Sequence, residues 1–271
     1  MGRRRILLLL GVSFCLPAPP CRAQPSAEDK ARVVEKAREY ALGYMKSLPD
    51  FFCTQVTRRY VRAGRSGRWD LLDVVTARLT YFEGKEEYAQ LLVDGHALPD
   101  VPILLLEGAT SSGEFGRMMA AVFAPESRAT FRWERWDTVR GRPAHVYSYH
   151  VARVWSKWHV FYDRKVYAVP GYHGLVYVDR DLLAVTRITL VPELPAGFQI
   201  QQAQTALDYN FVTISGREYL LPLKAVVRMR HGKRLSKNEV EFSSYRKFSA
   251  ESTLDFEKEL PAQETGEEPP K

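Results

Sequence analysis

From Gly174 to Tyr245 apolar and polar side chains trade places along five successive runs: Gly174–Asp179, Ala184–Val191, Phe198–Ile214, Glu218–Arg230 and Glu239–Tyr245. Such runs predict strands, and turn residues separate them at Asp179 to Asp181, Pro192 to Gly197, Ser215-Gly216 and His231-Gly232-Lys233. Within Glu218–Arg230 the apolar Tyr219, Leu221, Leu223, Ala225, Val227 and Met229 alternate with positions that include Pro222, Lys224, Arg228 and Arg230. One face is therefore expected to be buried and the other wet. Long strands with one apolar face need an apolar cover. What covers that face decides what the protein can do.

Two segments have the helical period that a cover requires. Ser26 and Asp29 form a capping-box signature, and a helix follows from Ala27 to about Ser47. Val33, Val34, Ala37, Tyr40, Ala41, Tyr44, Met45 and Leu48 make one stripe along it, about 30 Å long, before Pro49 ends it. Ser111 and Glu114 make a second capping signature, opening a shorter helix with Phe115, Met118, Met119, Val122 and Phe123 on one side. Methionines at this spacing suit an ordinary core and also a surface that adapts to varied apolar guests.

Between and around these helices the pattern predicts strands at Phe52–Val61, Trp69–Tyr81, Glu87–Val93, Ala129–Arg135, Pro143–Val154 and Trp158–Val169. The stretch Ala97–Thr110, with its apolar run Val101–Leu106, reads as an irregular covering loop or a buried connector. No internal repeat or interdomain linker interrupts the chain, so one domain is expected over residues 24–248.

Composition and charge refine this picture at the two ends. The start has Arg3, Arg4 and Arg5, an apolar core Ile6–Leu16 and a small residue, Ala23, before Gln24. Residues 1–23 therefore read as a secretory signal peptide, too short in its apolar part to span a bilayer stably. Cleavage near Ala23, acylation at Cys21 and retention as an anchor stay open. The formal net charge of +7 is partly owed to Arg3, Arg4, Arg5 and Arg22, so the rest is only slightly basic. Residues 249–271 are acidic and proline-bearing and read as a disordered tail. Cys15 goes with the signal and Cys53 is then alone, without a disulfide partner in the domain.

Candidate chemistry is thin. His145 and His150 lie five apart on one predicted strand and so point to opposite faces, and no histidine pair has metal-binding helical spacing. Asp179 and Asp181 straddle a turn and fall short of a calcium site. There is no Gly-x-Ser-x-Gly elbow, and Glu114 stands where a phosphate loop needs lysine. No catalytic residue, metal site or cofactor is assigned. Basic residues gather at two predicted hairpin tips, Arg58, Arg59, Arg62, Arg65 and Arg68 at one, and Arg228, Arg230, Lys233 and Arg234 at the other. They suit a solvated sheet edge, a protein partner, or an anionic membrane surface. Nucleic acid fits an exported chain poorly.

The order of elements, with Phe52-Cys53-Thr54-Gln55, Gly174 to Asp179, Val185-Thr186-Arg187-Ile188, and Leu207-Asp208-Tyr209 leading to Leu220-Leu221-Pro222, resembles the LolA/LolB-like superfamily of periplasmic lipoprotein carriers and outer-membrane lipoprotein receptors. That resemblance implies an α+β fold, a single strongly curved antiparallel β-sheet forming a half-open barrel wrapped over an N-terminal helix and a short middle helix. It also implies a solvent-side Asp on the strand ending at Asp179, and an apolar cavity that takes acyl chains. The family's lid-fastening arginine finds no single counterpart here.

The expected function is that of an exported, non-catalytic protein of the periplasm or outer-membrane-associated envelope, binding lipid acyl chains or a lipidated protein. Candidate lining residues are Phe115, Met118, Met119, Val122, Leu221, Leu223, Val227 and Met229, which are equally the expected core. Two rivals remain open: an envelope scaffold with a self-filled core that binds a protein partner, and a hydrolase whose residues meet only in three dimensions. The identity of the guest and the oligomeric state are left open.

Overall fold

The computed structural model describes residues 24–63, 67–98, 115–162 and 166–248. The predicted signal segment, the acidic tail, Arg65, most of the loop after Ala97 and the second capping pair Ser111 and Glu114 lie outside the described residues.

Helix α1 runs from Ala27 to Ser47. Its first turn is closed by the Asp29 amide donating to Ser26 Oγ at 3.0 Å, with Glu28 and Asp29 set against the positive end of the helix. It stops because Leu48 precedes Pro49 and turns extended. Val33, Ala37, Ala41 and Tyr44 fall on one face and are buried there.

Eleven strands make one antiparallel sheet. They are β1 (Phe51–Ala63), β2 (Asp70–Phe82), β3 (Lys85–Val93), β4 (His96–Ala97), β5 (Thr130–Val139), β6 (Arg142–Val151), β9 (Tyr172–Asp179), β10 (Val185–Pro192), β11 (Ile200–Ile214), β12 (Arg217–His231) and β13 (Arg234–Lys247). The spatial order is β4-β3-β2-β1-β13-β12-β11-β10-β9-β6-β5, so β4 and β5 are edges and the sheet does not close into a barrel. Register shifts at Phe52/Thr54, Arg59/Tyr60, Thr76/Arg78, Trp133/Arg135, Val185/Arg187 and Asp208/Tyr209 bend individual strands and deepen the curvature of the sheet. Helix α2 (Arg117–Phe123) lies with α1 on one face, and both contribute to the main apolar cluster. The fold is α+β, as the sequence resemblance implies.

Three expectations need correction. Trp158–Val169 is not one strand of the sheet. It divides into β7 (Val160–Tyr162) and β8 (Val166–Ala168), a separate two-stranded hairpin. Alternation in β12 is broken at Leu223, because Asp208 pairs with Lys224 while Tyr209 pairs with Pro222. That extra residue interrupts the alternation and leaves Leu223 half-buried. Asp179 is not on the solvent side: it is 1% exposed, and its Oδ1 accepts from the amides of Asp181 at 3.0 Å and Leu182 at 2.9 Å. The carboxylate ties down the β9–β10 turn, and Arg142 completes the arrangement through Nη2 at 3.0 Å.

Candidate functional site: the apolar face under the two helices

The helix-covered face gathers α1 side chains Val33, Ala37, Ala41 and Tyr44 with Phe115, Met118, Met119, Val122 and Phe123 and with inward residues of β1, β2, β6 and β9–β13. Five of the eight candidate lining residues meet here. Phe115, Met118, Met119, Val122 and Leu221 all belong to this cluster and are at most 4% exposed. Val227 is buried as well, whereas Leu223 and Met229 are half-buried. Met229 lies eight positions along β12 from Leu221, roughly 25 Å of extended chain, so it does not join the group under α2.

Aromatic rings fill the space around Phe115. Its ring centroid lies 5.3 Å from Phe51, 6.0 Å from Tyr81, 5.5 Å from Phe242 and 6.4 Å from Tyr245. Tyr44 meets Tyr209 edge-on at 5.9 Å. A second run passes from Phe123 to Phe131 at 5.3 Å, then through Tyr149 and Tyr172 to Trp158. The strand pattern alone put Tyr81, Phe242 and Tyr245 on strands, and Phe51 just before one, without linking them to Phe115; only the sheet order brings β1, β2 and β13 together beside α2.

The polar chemistry of this face is sparse. Burial pushes the Tyr44, Tyr149 and Tyr245 hydroxyls well above the usual phenol range, and the Cys53 thiol is likewise driven up, which keeps it neutral. Tyr149 donates to Thr189 O at 2.8 Å, and Tyr172 to Ala121 O at 2.7 Å. Among the described residues, the buried Tyr44 hydroxyl has no hydrogen-bond partner. That is costly in an apolar site.

Helix α2 is held mainly by apolar contact. It enters through Gly116 at φ 111° with no side-chain cap, a conformation that suits glycine. Its polar ties among the described residues include Tyr172 to Ala121 O, Arg38 Nη1 to Phe123 O at 2.8 Å, and Ser127 Oγ to Val122 O at 2.9 Å.

Several tip cations are already engaged. Arg58 pairs with Glu241 at 3.2 Å, and Lys224 reaches the same carboxylate at 3.3 Å. Arg59 is buried against Asp73. The Arg62 guanidinium lies 4.8 Å from the Trp69 ring centre. Arg68, Arg228, Lys233 and Arg234 are exposed and Arg230 is half-buried. Of the histidines considered for catalysis, His145 is buried against Trp136 at 4.1 Å. His150 and His173 share Glu193 Oε1, at 3.2 and 3.3 Å. Among the described residues no group of three His, Cys, Asp or Glu could hold a metal ion, and no helix is long and apolar enough to cross a membrane.

No family model matches the sequence, and no curated protein does. Solved structures with a similar fold include a LolA superfamily protein from Nitrosomonas europaea, 13% identical, covering 83% of this chain and 96% of its own, with a TM-score of 0.33. A domain named for outer-membrane lipoprotein sorting from Vibrio parahaemolyticus is 14% identical, covers 83% and 97%, and has a TM-score of 0.41. The lipoprotein LppX of Mycobacterium tuberculosis is 9% identical, covers 80% and 96%, and has a TM-score of 0.28. The LolA/LolB-like resemblance carried by the sequence motifs thus has its counterpart among solved structures as a likeness of fold, and at these values it carries nothing about what the chain binds.

Proposed function

We propose that this chain is a non-enzymatic binder of lipid acyl chains, or of a lipidated protein, at the cell envelope, with the guest entering beneath α2. The observation that carries the reading is the cover itself. A broad open sheet is roofed at this point by seven helical residues bearing Met118 and Met119, with three side-chain hydrogen bonds to the helix backbone among the described residues. Flexible thioether side chains can repack around a guest. Each methylene of an acyl chain buried there contributes about 0.8 kcal/mol. The unpartnered Tyr44 hydroxyl supplies a donor that an ester or amide carbonyl of the guest satisfies.

The ring cluster around Phe115 favours a second reading, a self-filled core on a scaffold that binds a protein partner. Titrating delipidated full-length protein with a fluorescent fatty acid separates the two. Saturable uptake that an unlabelled acyl chain displaces supports the binder. A flat titration, together with a stable complex with an envelope protein, supports the scaffold.

A further inference from the structure

The β7–β8 hairpin stands outside the eleven-stranded sheet, and its outward face carries rings where a solvated hairpin would carry polar groups. Val160 is buried, and the preceding Trp158 packs on Tyr172 at 6.2 Å, so these two side chains anchor the hairpin to the body. His159 and Phe161 point the other way. Phe161 faces Tyr167 across the hairpin, with centroids 6.0 Å apart, and His159 lies 6.0 Å from Phe161 and 6.4 Å from Tyr167. Phe161 is 60% exposed and Tyr167 64%. The turn leading in adds Val154, 76% exposed, and Trp155, whose ring has the Arg128 guanidinium 3.6 Å from its centre.

We propose that this surface is a docking site for an anionic lipid bilayer. Exposed apolar rings in a cluster mark an interaction surface, and two features of this one choose the membrane. The first is the kind of side chain. Trp, Tyr and His combine an apolar body with a polar edge, which is the chemistry of the headgroup boundary, while Phe161 and Val154 supply apolar groups for the acyl layer beneath. The second is charge. Arg128 and Lys157 line the groove beside Trp155 with Glu126 as its one carboxylate, and exposed Arg153 lies in the same turn. Cations flanking an apolar insert match phosphate-bearing headgroups. The β1–β2 tip is less suited, because Arg58 and Arg59 there are already paired with carboxylates. The docking site is separate from the residues under α2, so it stands or falls independently of the acyl-chain reading.

Vesicle co-sedimentation of the full chain tests it, using phosphatidylcholine alone and phosphatidylcholine with about one-third phosphatidylglycerol. The parent should partition more strongly onto the anionic vesicles. Phe161→Ser with Tyr167→Ser should lower partition about tenfold on them. Replacing Arg128, Arg153 and Lys157 by Gln should remove the preference for anionic vesicles. Both variants change exposed side chains, and unchanged far-UV circular dichroism and fatty-acid uptake would separate a lost docking surface from a lost fold or a lost guest site. Parent protein that does not sediment with vesicles overturns the proposal. So does a ring variant that partitions like the parent, including the case in which a soluble protein is instead captured through position 161.

Discussion

Arg187 on β10 lies directly opposite Asp208 on β11, and its guanidinium grips both carboxylate oxygens, Nη2 to Oδ2 at 2.8 Å, while sitting 5.5 Å from the Tyr177 ring centre. The two residues come from separate sequence motifs, Val185 to Ile188 and Leu207 to Tyr209, that adjacent strands bring together. The Arg187 side chain is 37% exposed and solvent screens part of the attraction. Asp208→Ala is therefore expected to lower unfolding free energy by only about 1–2 kcal/mol in urea titration. Arg187→Lys should recover little, since an ammonium cannot make the two-pronged contact.

Gly174 has a different reason to be where it is. A Cβ at this position would sit 2.0 Å from the Thr189 carbonyl oxygen and 3.1 Å from the Tyr149 ring. The same oxygen accepts the Tyr149 hydroxyl, and Thr189 Oγ1 accepts from the Leu175 amide. The obstruction is backbone held on both sides, so it cannot rotate away. Gly174→Ala should cost about 3 kcal/mol, read as a fall in the urea midpoint.

These two sites also mark how far the sequence could be read. The limits of α1 and the succession of the five C-terminal strands were legible because each rests on local spacing, capping or turn chemistry; Gly174 and Arg187 entered only through the family resemblance, and their contacts were not legible. The Leu223 bulge was not, since an alternating pattern survives on paper through an inserted residue. The division of Trp158–Val169 was not either: its aromatics satisfy strand preference whether they join the sheet or stand apart. The eight candidate lining positions were chosen from alternation and helical spacing, which locate an apolar face but say nothing of what lies across it. The rings that crowd Phe115 arrive from β1, β2 and β13, far apart in sequence.

Asp179 predicts a pH dependence. Burial alone would raise its carboxyl pKa, but Arg142 and the amides of Leu182 and Asp181 outweigh that and hold it below its ordinary value of 3.8. The unfolded chain then binds the proton first as pH falls, so this stabilisation is present above about pH 4 and is lost on descending through the folded value. Thermal melts between about pH 5 and 2.5 should show a steeper loss for the parent than for Asp179→Asn. The variant should be less stable at neutral pH.

His145 acts in the neighbouring window. Burial, with the positive charge of Arg180 second, holds its imidazole below the ordinary 6.5, against a smaller opposing effect of Asp29. The unfolded histidine takes up its proton first, so stability should decline as pH falls below about 6.5. His145→Phe should flatten melting temperature over that range.

Tyr44 offers a test in which stability and binding move in opposite senses. Its buried hydroxyl has no partner among the described residues, so Tyr44→Phe should leave the unfolding free energy unchanged or raise it by up to about 1 kcal/mol. If the hydroxyl donates to a guest carbonyl, the same change should weaken uptake of an acyl ester more than of an alkane chain, as measured by competitive displacement.

Met118 and Met119 can be probed without opening a hole. Replacing both by Leu nearly conserves volume and should cost less than about 1.5 kcal/mol per site. The branched side chains repack less readily. Fatty-acid affinity in the fluorescence titration should therefore drop, while the melting temperature falls by no more than about 10 °C.

The placement of β1 beside β13 has a consequence for assembly. Phe51–Ala63 finds one of its two neighbours only in Arg234–Lys247, so the middle of the sheet cannot be knitted until nearly all of the domain has been made. Closing so long a loop is slow, and meanwhile the ring-bearing side of the early strands is open to unwanted association. The young polypeptide should therefore depend on being shielded by helper proteins, and shortening it before Arg234 should leave an insoluble remnant rather than a smaller working unit.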